Sequence, residues 1–213
     1  ELGYQYKYDH RNRLVEKKIP GKQWEYILYN TLDQPILTQD ANQKAQNKWL
    51  FTKYDVFGRV AYTGEMTRNI SRISLQFEVN NTMSNWVTKN TTHTTIDGTT
   101  IYYDNGAYPV NDISDILTIN YYDNYTFDKV AGNSESSYNI TPIDNAKGLA
   151  TGSKVRVLGT NDWITTVTYY DTKARPIYVY SFNDYLDTTD KIKTKYDFVR
   201  VIETYASHDK TGK

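Results

Sequence analysis

Apolar and polar residues alternate with a period of two along most of the chain, in short runs closed by turn residues. Tyr4, Tyr6 and Tyr8 fall on one face of a first strand, with Gln5 and Lys7 on the other, and the strand stops at Asp9. The return strand, Arg13 to Lys18, ends at Pro20-Gly21, a turn by its chemistry. The same alternation predicts strands over 23–29, 48–54, 59–62, 99–103, 117–122, 154–158, 165–170 and 176–182, and a last hairpin over 191–205. Three stretches break the rhythm. Met66, Ile70, Ile73 and Phe77 share one face at helical spacing and predict one short amphipathic helix packed on the sheet, with Glu65 near its positive end. The Asn- and Thr-rich run 80–98 reads as a loop with a short strand at Trp86-Val87, and 125–144, with Gly132, Ser134, Ser136, Ser137 and Pro142, reads as a loop insert.

One hairpin phrase recurs. Tyr8-Asp9 is followed by Arg13, Tyr54-Asp55 by Gly58-Arg59, and Tyr170-Asp171 by Arg175. Tyr196-Asp197 is followed by Arg200, one residue early. Tyr29-Asn30 with Gln34 is a degenerate copy, and Tyr103-Asp104 and Tyr122-Asp123 lack the arginine. Successive tyrosines lie twenty-odd residues apart where no insertion intervenes, which suits two strands and their turns and is short for a propeller blade. The spacing therefore predicts mainly β structure, a strip of antiparallel hairpins with one short α-helix. Its parts are hairpins over 1–63, a helix-containing insertion over 64–101, and hairpins over 102–213 with a loop insert near 125–146. Each aspartate is expected to hold its turn by bonding backbone N–H groups, with Gly58 at a left-handed corner. Each arginine is expected to pair with that aspartate or lie over a tyrosine ring, and the tyrosines to stack in a ladder across the sheet.

Composition narrows the reading further. Hydrophobic residues make up only 38%, and 21 tyrosines outnumber 6 Phe and 4 Trp. This favours thin, half-covered sheets over a thick aliphatic core. Lys plus Arg equals Asp plus Glu at 25 each, so no net field favours nucleic acid or an anionic membrane. No cysteine is present, which excludes disulfides and thiolate zinc sites. No apolar run is long enough to span a membrane, and no signal peptide is visible. A start at Glu1 rather than methionine is expected of a fragment of a larger protein.

Candidate chemistry is sparse. His10, His93 and His208 fall in predicted turns or loops, far apart, and read as solvated side chains. Asp184, Asp187 and Asp190 lack the spacing, glycine and terminal glutamate of an EF-hand loop. No nucleophile elbow, P-loop, HExxH or dinucleotide fingerprint occurs. The expectation is no catalytic residue, no metal site and no cofactor. The rival to a purely structural role is a carbohydrate-binding or adhesive β module at the cell surface, with Trp24, Trp49, Trp86 and Trp163 as sugar platforms. Against it, each Trp sits in or beside a predicted strand.

The Tyr-Asp-x-x-x-Arg phrase, with glycine before Arg59, resembles the YD repeat of the RHS (rearrangement-hotspot) family. The run from Lys147 to Val155 with Val157 to Thr160, and Asn120 to Tyr125, resemble exported RHS proteins of Bacteroidota. That resemblance implies a sheet strip that spirals into a hollow shell around a C-terminal toxin or effector. It implies a secreted or cell-surface protein exported by the type IX route, whose partners are the rest of its own polypeptide, its cargo and the outer-membrane translocon, and not nucleic acid.

Overall fold

The structure, a computed structural model, describes residues 3–130 and 136–210, in two compact units, Glu1–Leu117 and Thr118–Lys213. In the first unit β1 (Gln5–Tyr8), β2 (Leu14–Lys18), β3 (Glu25–Tyr29) and β4 (Pro35–Gln39) are followed by helix α1 (Ala41–Ala45), then by β5 (Lys48–Tyr54) and β6 (Val60–Thr67). These strands lie side by side in chain order, each antiparallel to the last. Helix α2 (Arg72–Asn80) and a separate hairpin of β7 (Lys89–Ile96) and β8 (Thr99–Tyr103) come next.

Strand β9 (Ile113–Asp123) begins in the first unit and ends in the second, where its residues from Thr118 onward pair with β10 (Ala146–Arg156). The second unit continues with β11 (Trp163–Tyr170), β12 (Pro176–Asn183), β13 (Thr188–Tyr196) and β14 (Val201–Lys210), again antiparallel and in chain order. The chain is mainly β and made of consecutive hairpins, and the linear strand order leaves each sheet open.

Period-two alternation builds both cores. Along β5, Trp49, Phe51 and Lys53 are buried while Lys48, Leu50, Thr52 and Tyr54 on the other face are half-buried. Leu28, Leu37, Tyr62, Met66, Leu75 and Val79 are buried in the same unit. The packing leaves no room at Gly64, where a Cβ would lie 2.2 Å from the Asp115 carbonyl oxygen and 2.6 Å from the Phe51 ring. In the second unit tyrosine does the filling: Tyr169 stacks on Tyr125 at 4.8 Å and on Tyr178 at 5.8 Å.

The insert after β9 is tied to this unit. Phe127 stacks on Tyr121 at 4.4 Å, over a Gly152 whose Cβ would lie 2.3 Å from the ring. The Tyr125 hydroxyl donates to the Thr168 carbonyl at 3.2 Å. Residues 131–135 of the expected loop, Gly132 and Ser134 among them, lie outside the described residues.

The helix reading needs correction. There are two helices among the described residues, not one, and α2 begins only at Arg72, capped by the Ser71 hydroxyl, which accepts from the Ser74 amide at 3.1 Å. Met66 and Glu65 belong to β6. Ile73 and Phe77 are 73% and 72% exposed, and α2 buries Leu75 and Val79 instead. The spacing from Met66 does not carry over because Met66 is a strand residue and the helix start at Arg72 resets the phase.

Gln76 of α2 brackets Tyr29 of β3, donating to its carbonyl at 2.8 Å and accepting from its amide at 3.3 Å. The other helix, α1, has a capping box: the Asp40 carboxylate accepts from the Gln43 amide, and the Gln43 side chain accepts from the Asp40 amide, both at 2.8 Å. No helix among the described residues is long and apolar enough to cross a membrane.

Candidate functional site: the recurring turn and its neighbour contacts

The phrase residues converge on one local geometry. In the first copy, Asp9 Oδ1 accepts the amides of Arg11 at 2.9 Å and Arg13 at 3.0 Å, while Oδ2 accepts Nε of Arg13 at 2.7 Å. Asp55 does the same with Phe57, Arg59 and Arg59 Nε, at 2.9, 2.9 and 2.7 Å. Asp171 repeats it with Lys173, Arg175 and Arg175 Nε, at 2.9, 2.9 and 2.8 Å. One carboxylate thus satisfies two turn amides and one face of a guanidinium, which a neutral or longer side chain does less well.

The residue before each arginine turns left-handed: Asn12 at φ 59°, Gly58 at 77°, Ala174 at 59°. The degenerate copy keeps the shape without the charge. Asn30 Oδ1 accepts the amides of Leu32 and Gln34 at 3.0 Å each, and its Nδ2 donates to Gln34 Oε1 at 2.8 Å. The short copy does so one residue early, Asp197 accepting from Val199 and Arg200 amides at 2.7 and 2.8 Å and from Arg200 Nε at 3.2 Å.

Neighbouring hairpins are joined through these same residues. Arg13 reaches from its own Asp9 to the Asn30 carbonyl at 3.3 Å and lies 4.8 Å from the Tyr29 ring centre. The Tyr29 hydroxyl answers by donating to the Leu14 carbonyl at 2.9 Å. The second unit repeats this arrangement. Arg175 donates to the Asp197 carbonyl at 2.8 Å and lies 4.4 Å from the Tyr196 ring, and the Tyr196 hydroxyl donates to the Pro176 carbonyl at 3.1 Å. Tyr54 and Tyr170 likewise donate to Pro35 and Ala150 carbonyls, at 2.9 and 2.7 Å. Where ring-on-ring stacking was expected at Tyr29 and Tyr196, a guanidinium faces the ring.

The copies without arginine diverge. Tyr103 is buried against Tyr62 at 6.1 Å, and Asp104 accepts from the Gly106 and Thr88 amides at 3.1 Å each. Tyr122 is half-buried on β9. Asp123, at φ 73°, accepts the amide of Gly148 at 2.7 Å, so the whole insert hangs between the turn aspartate and its amide partner. Arg200 is 80% exposed on its side chain, against 25% for Arg175.

The electrostatics follow from the bonding. Desolvation works against the Asp9 carboxylate, but the Arg13 amide and guanidinium and the Arg11 amide outweigh it and bring its pKa down to about 2. Asp171 is lowered in the same way, burial opposing and Arg175 prevailing. At Asp197 the amides of Arg200 and Val199 lower it.

The other candidates are scattered. His10 lies in the first turn, but His93 sits in β7, 6.1 Å from Tyr102, and His208 in β14, where Nδ1 is 2.6 Å from Asp190 Oδ1. The latter two are therefore strand residues, because β7 and β14 extend into runs read as loop and chain end. Among the described residues no three His, Asp or Glu come together to hold a metal ion. Of the tryptophans, Trp49 is core, and Trp24 and Trp163 are covered by Lys7 at 4.5 Å and Lys154 at 5.6 Å. Trp86 is 41% exposed.

No family model and no curated protein matches the sequence. Among solved structures the chain is similar to the crystal structure of TcdB2-TccC3-TEV, at 10% identity and a TM-score of 0.38, over 96% of this chain and 9% of that one. It is also similar to a mutant Tc holotoxin pore of Photorhabdus luminescens, at 12% identity and a TM-score of 0.26, over 99% of this chain and 12% of that one. A third, TcdB2-TccC3 without the hypervariable C-terminal region, has 12% identity and a TM-score of 0.26, over 95% and 12%. The chain spans about a tenth of the length of these solved chains.

Proposed function

We propose that this chain is a non-catalytic, structural segment of a large secreted or cell-surface RHS-repeat protein, part of a β-sheet shell that encloses or presents a C-terminal toxin or effector. The observation that carries the reading is the reciprocal contact between successive turns, Arg13 to Asn30 and Tyr29 to Leu14, repeated as Arg175 to Asp197 and Tyr196 to Pro176. In each of these two pairs one hairpin supplies an arginine forward and receives a tyrosine back, a contact that adds hairpins side by side and suits a wall rather than a cleft. The partners are the remainder of the same polypeptide and its cargo, and export runs through an outer-membrane translocon of the type IX kind.

The test is protease protection in the full-length protein. A reporter fused at the cargo position should survive digestion while the shell is intact and be degraded once the shell is opened with denaturant. Digestion of the reporter on the intact protein overturns encapsulation.

A further inference from the structure

The chemistry that the repeat does not use lies in the first unit, between β5 and the chain leaving β8. Lys53 is 1% exposed, on the face of β5 that otherwise buries Trp49 and Phe51. Its Nζ hydrogen-bonds to Oδ1 of Asn105, and the rings of Tyr62 and Phe51 wall it in at 5.1 and 5.7 Å. A lysine buried this deeply ordinarily faces a carboxylate, whereas here the group it bonds is a neutral amide. Burial brings the Lys53 pKa down to about 7, the field of Asp104 acting in the opposite sense. A substantial share of the amine is then neutral, and so nucleophilic, near neutral pH.

The amide is held in place beside the amine. Asn105 Nδ2 donates to the Val110 carbonyl at 2.9 Å, which turns Oδ1 toward Lys53. The Tyr62 hydroxyl lies 3.2 Å from the same Oδ1, and 3.0 Å from the Asp104 carbonyl. Burial, with Asp104 adding to it, raises the Tyr62 pKa, so the phenol stays a proton donor. A fixed donor at the oxygen where negative charge develops is what acyl transfer at an amide requires.

We propose that Lys53 and Asn105 join in an intramolecular isopeptide bond. The Nζ lone pair attacks Cγ of Asn105, and the carbonyl electrons move to Oδ1 beside the Tyr62 hydroxyl. Collapse restores the carbonyl and expels Nδ2. One Nζ proton passes to Nδ2, which leaves as ammonia, and the other remains on the new amide, so no oxidant or further reactant is needed. The product ties β5 to the loop beyond β8 and closes β6, α2 and the β7–β8 hairpin into a covalent loop, independently of whether the protein is a shell.

Asn105 precedes Gly106, whose backbone nitrogen is the competing nucleophile for Cγ. That N–H is committed to Asp104 Oδ1 at 3.1 Å, and the lysine amine is the one against the amide.

Intact-mass measurement and peptide sequencing of the full chain test this. After incubation at mildly alkaline pH the chain should weigh one ammonia less than its sequence. It should also yield a branched peptide joining Lys53 to Asn105. Both signals should vanish in Lys53→Met and in Asn105→Ala. If neither variant folds, the branched peptide from the wild-type chain decides alone. A wild-type chain at full sequence mass overturns the proposal. So does an ammonia deficit that persists in Lys53→Met, since it would come from Asn105 closing on the Gly106 nitrogen.

Discussion

The guanidinium of Arg175 is held between two turns: Nε and Nη2 bind Asp171 of its own hairpin, at 2.8 and 2.7 Å, and Nη1 binds the Asp197 carbonyl of the next at 2.8 Å. A planar fork serves both directions at once, which a single ammonium does not. Arg175→Lys should therefore cost about 1–3 kcal/mol despite keeping the charge. Urea unfolding checks it, and equal stability of the lysine variant would mean that the fork is not used.

The Tyr54 hydroxyl donates to the Pro35 carbonyl at 2.9 Å. Tyr54→Phe should cost about 1 kcal/mol, and Tyr54→Ala about 2–4 kcal/mol because the half-buried ring goes too. Unchanged melting of the alanine variant would remove the tyrosine from the contact between hairpins.

The degenerate turn offers a two-step test. Asn30 is 3% exposed and paired with Gln34 through their amides. Asn30→Asp alone buries a carboxylate beside a neutral partner and should destabilise by about 1–3 kcal/mol. Adding Gln34→Arg recreates the pairing of the other copies and should recover most of that loss. Additive losses in the double variant would show that this turn has no room for the ion pair.

Ala174 occupies the left-handed position that Gly58 fills in another copy, at φ 59°. An L-residue there costs about 1 kcal/mol or more relative to glycine. Ala174→Gly should raise the unfolding midpoint, and a lowered midpoint would indicate that the methyl group makes a contact worth more than the strain.

Acid should weaken the first turn. The Asp9 pKa falls from 3.8 to about 2 in the folded chain, so its contribution is complete above 3.8 and is lost as pH falls toward 2. The stability difference between the wild type and Asp9→Asn should shrink across that window. Denaturant midpoints of both proteins at each end of it measure the change, and a constant difference would contradict the lowered pKa.

The turns were legible because their chemistry is local. An aspartate reaches amides two and four residues on whatever surrounds it, so Asp9, Asp55 and Asp171 could be read from spacing. The start of helix α1 is equally local, marked by the Asp40 and Gln43 capping box. The buried face of α2 was not legible, because Ile73 with Phe77 and Leu75 with Val79 both stand at i, i+4 spacing and only tertiary packing selects the second pair for burial. The guanidinium over a tyrosine ring was among the expected placements, but that Arg13 and Arg175 hold their own aspartate and also face Tyr29 and Tyr196 of the next hairpin is decided by the stagger between hairpins. Lys53 and Asn105 lie on elements brought together only by tertiary packing, and nothing in their local sequence marks them as a pair.

Asp123 still binds the Gly148 amide although the insert runs between them, and Ala146 still pairs with Asp123 across the strands. The apex of a hairpin can thus be opened and lengthened while its strands stay paired, the register slipping on β10 between Ala146 and Gly152 before regular pairing resumes. Such an apex is a grafting port: new sequence can be acquired there, by evolution or by engineering, without renegotiating the contacts that join one hairpin to the next.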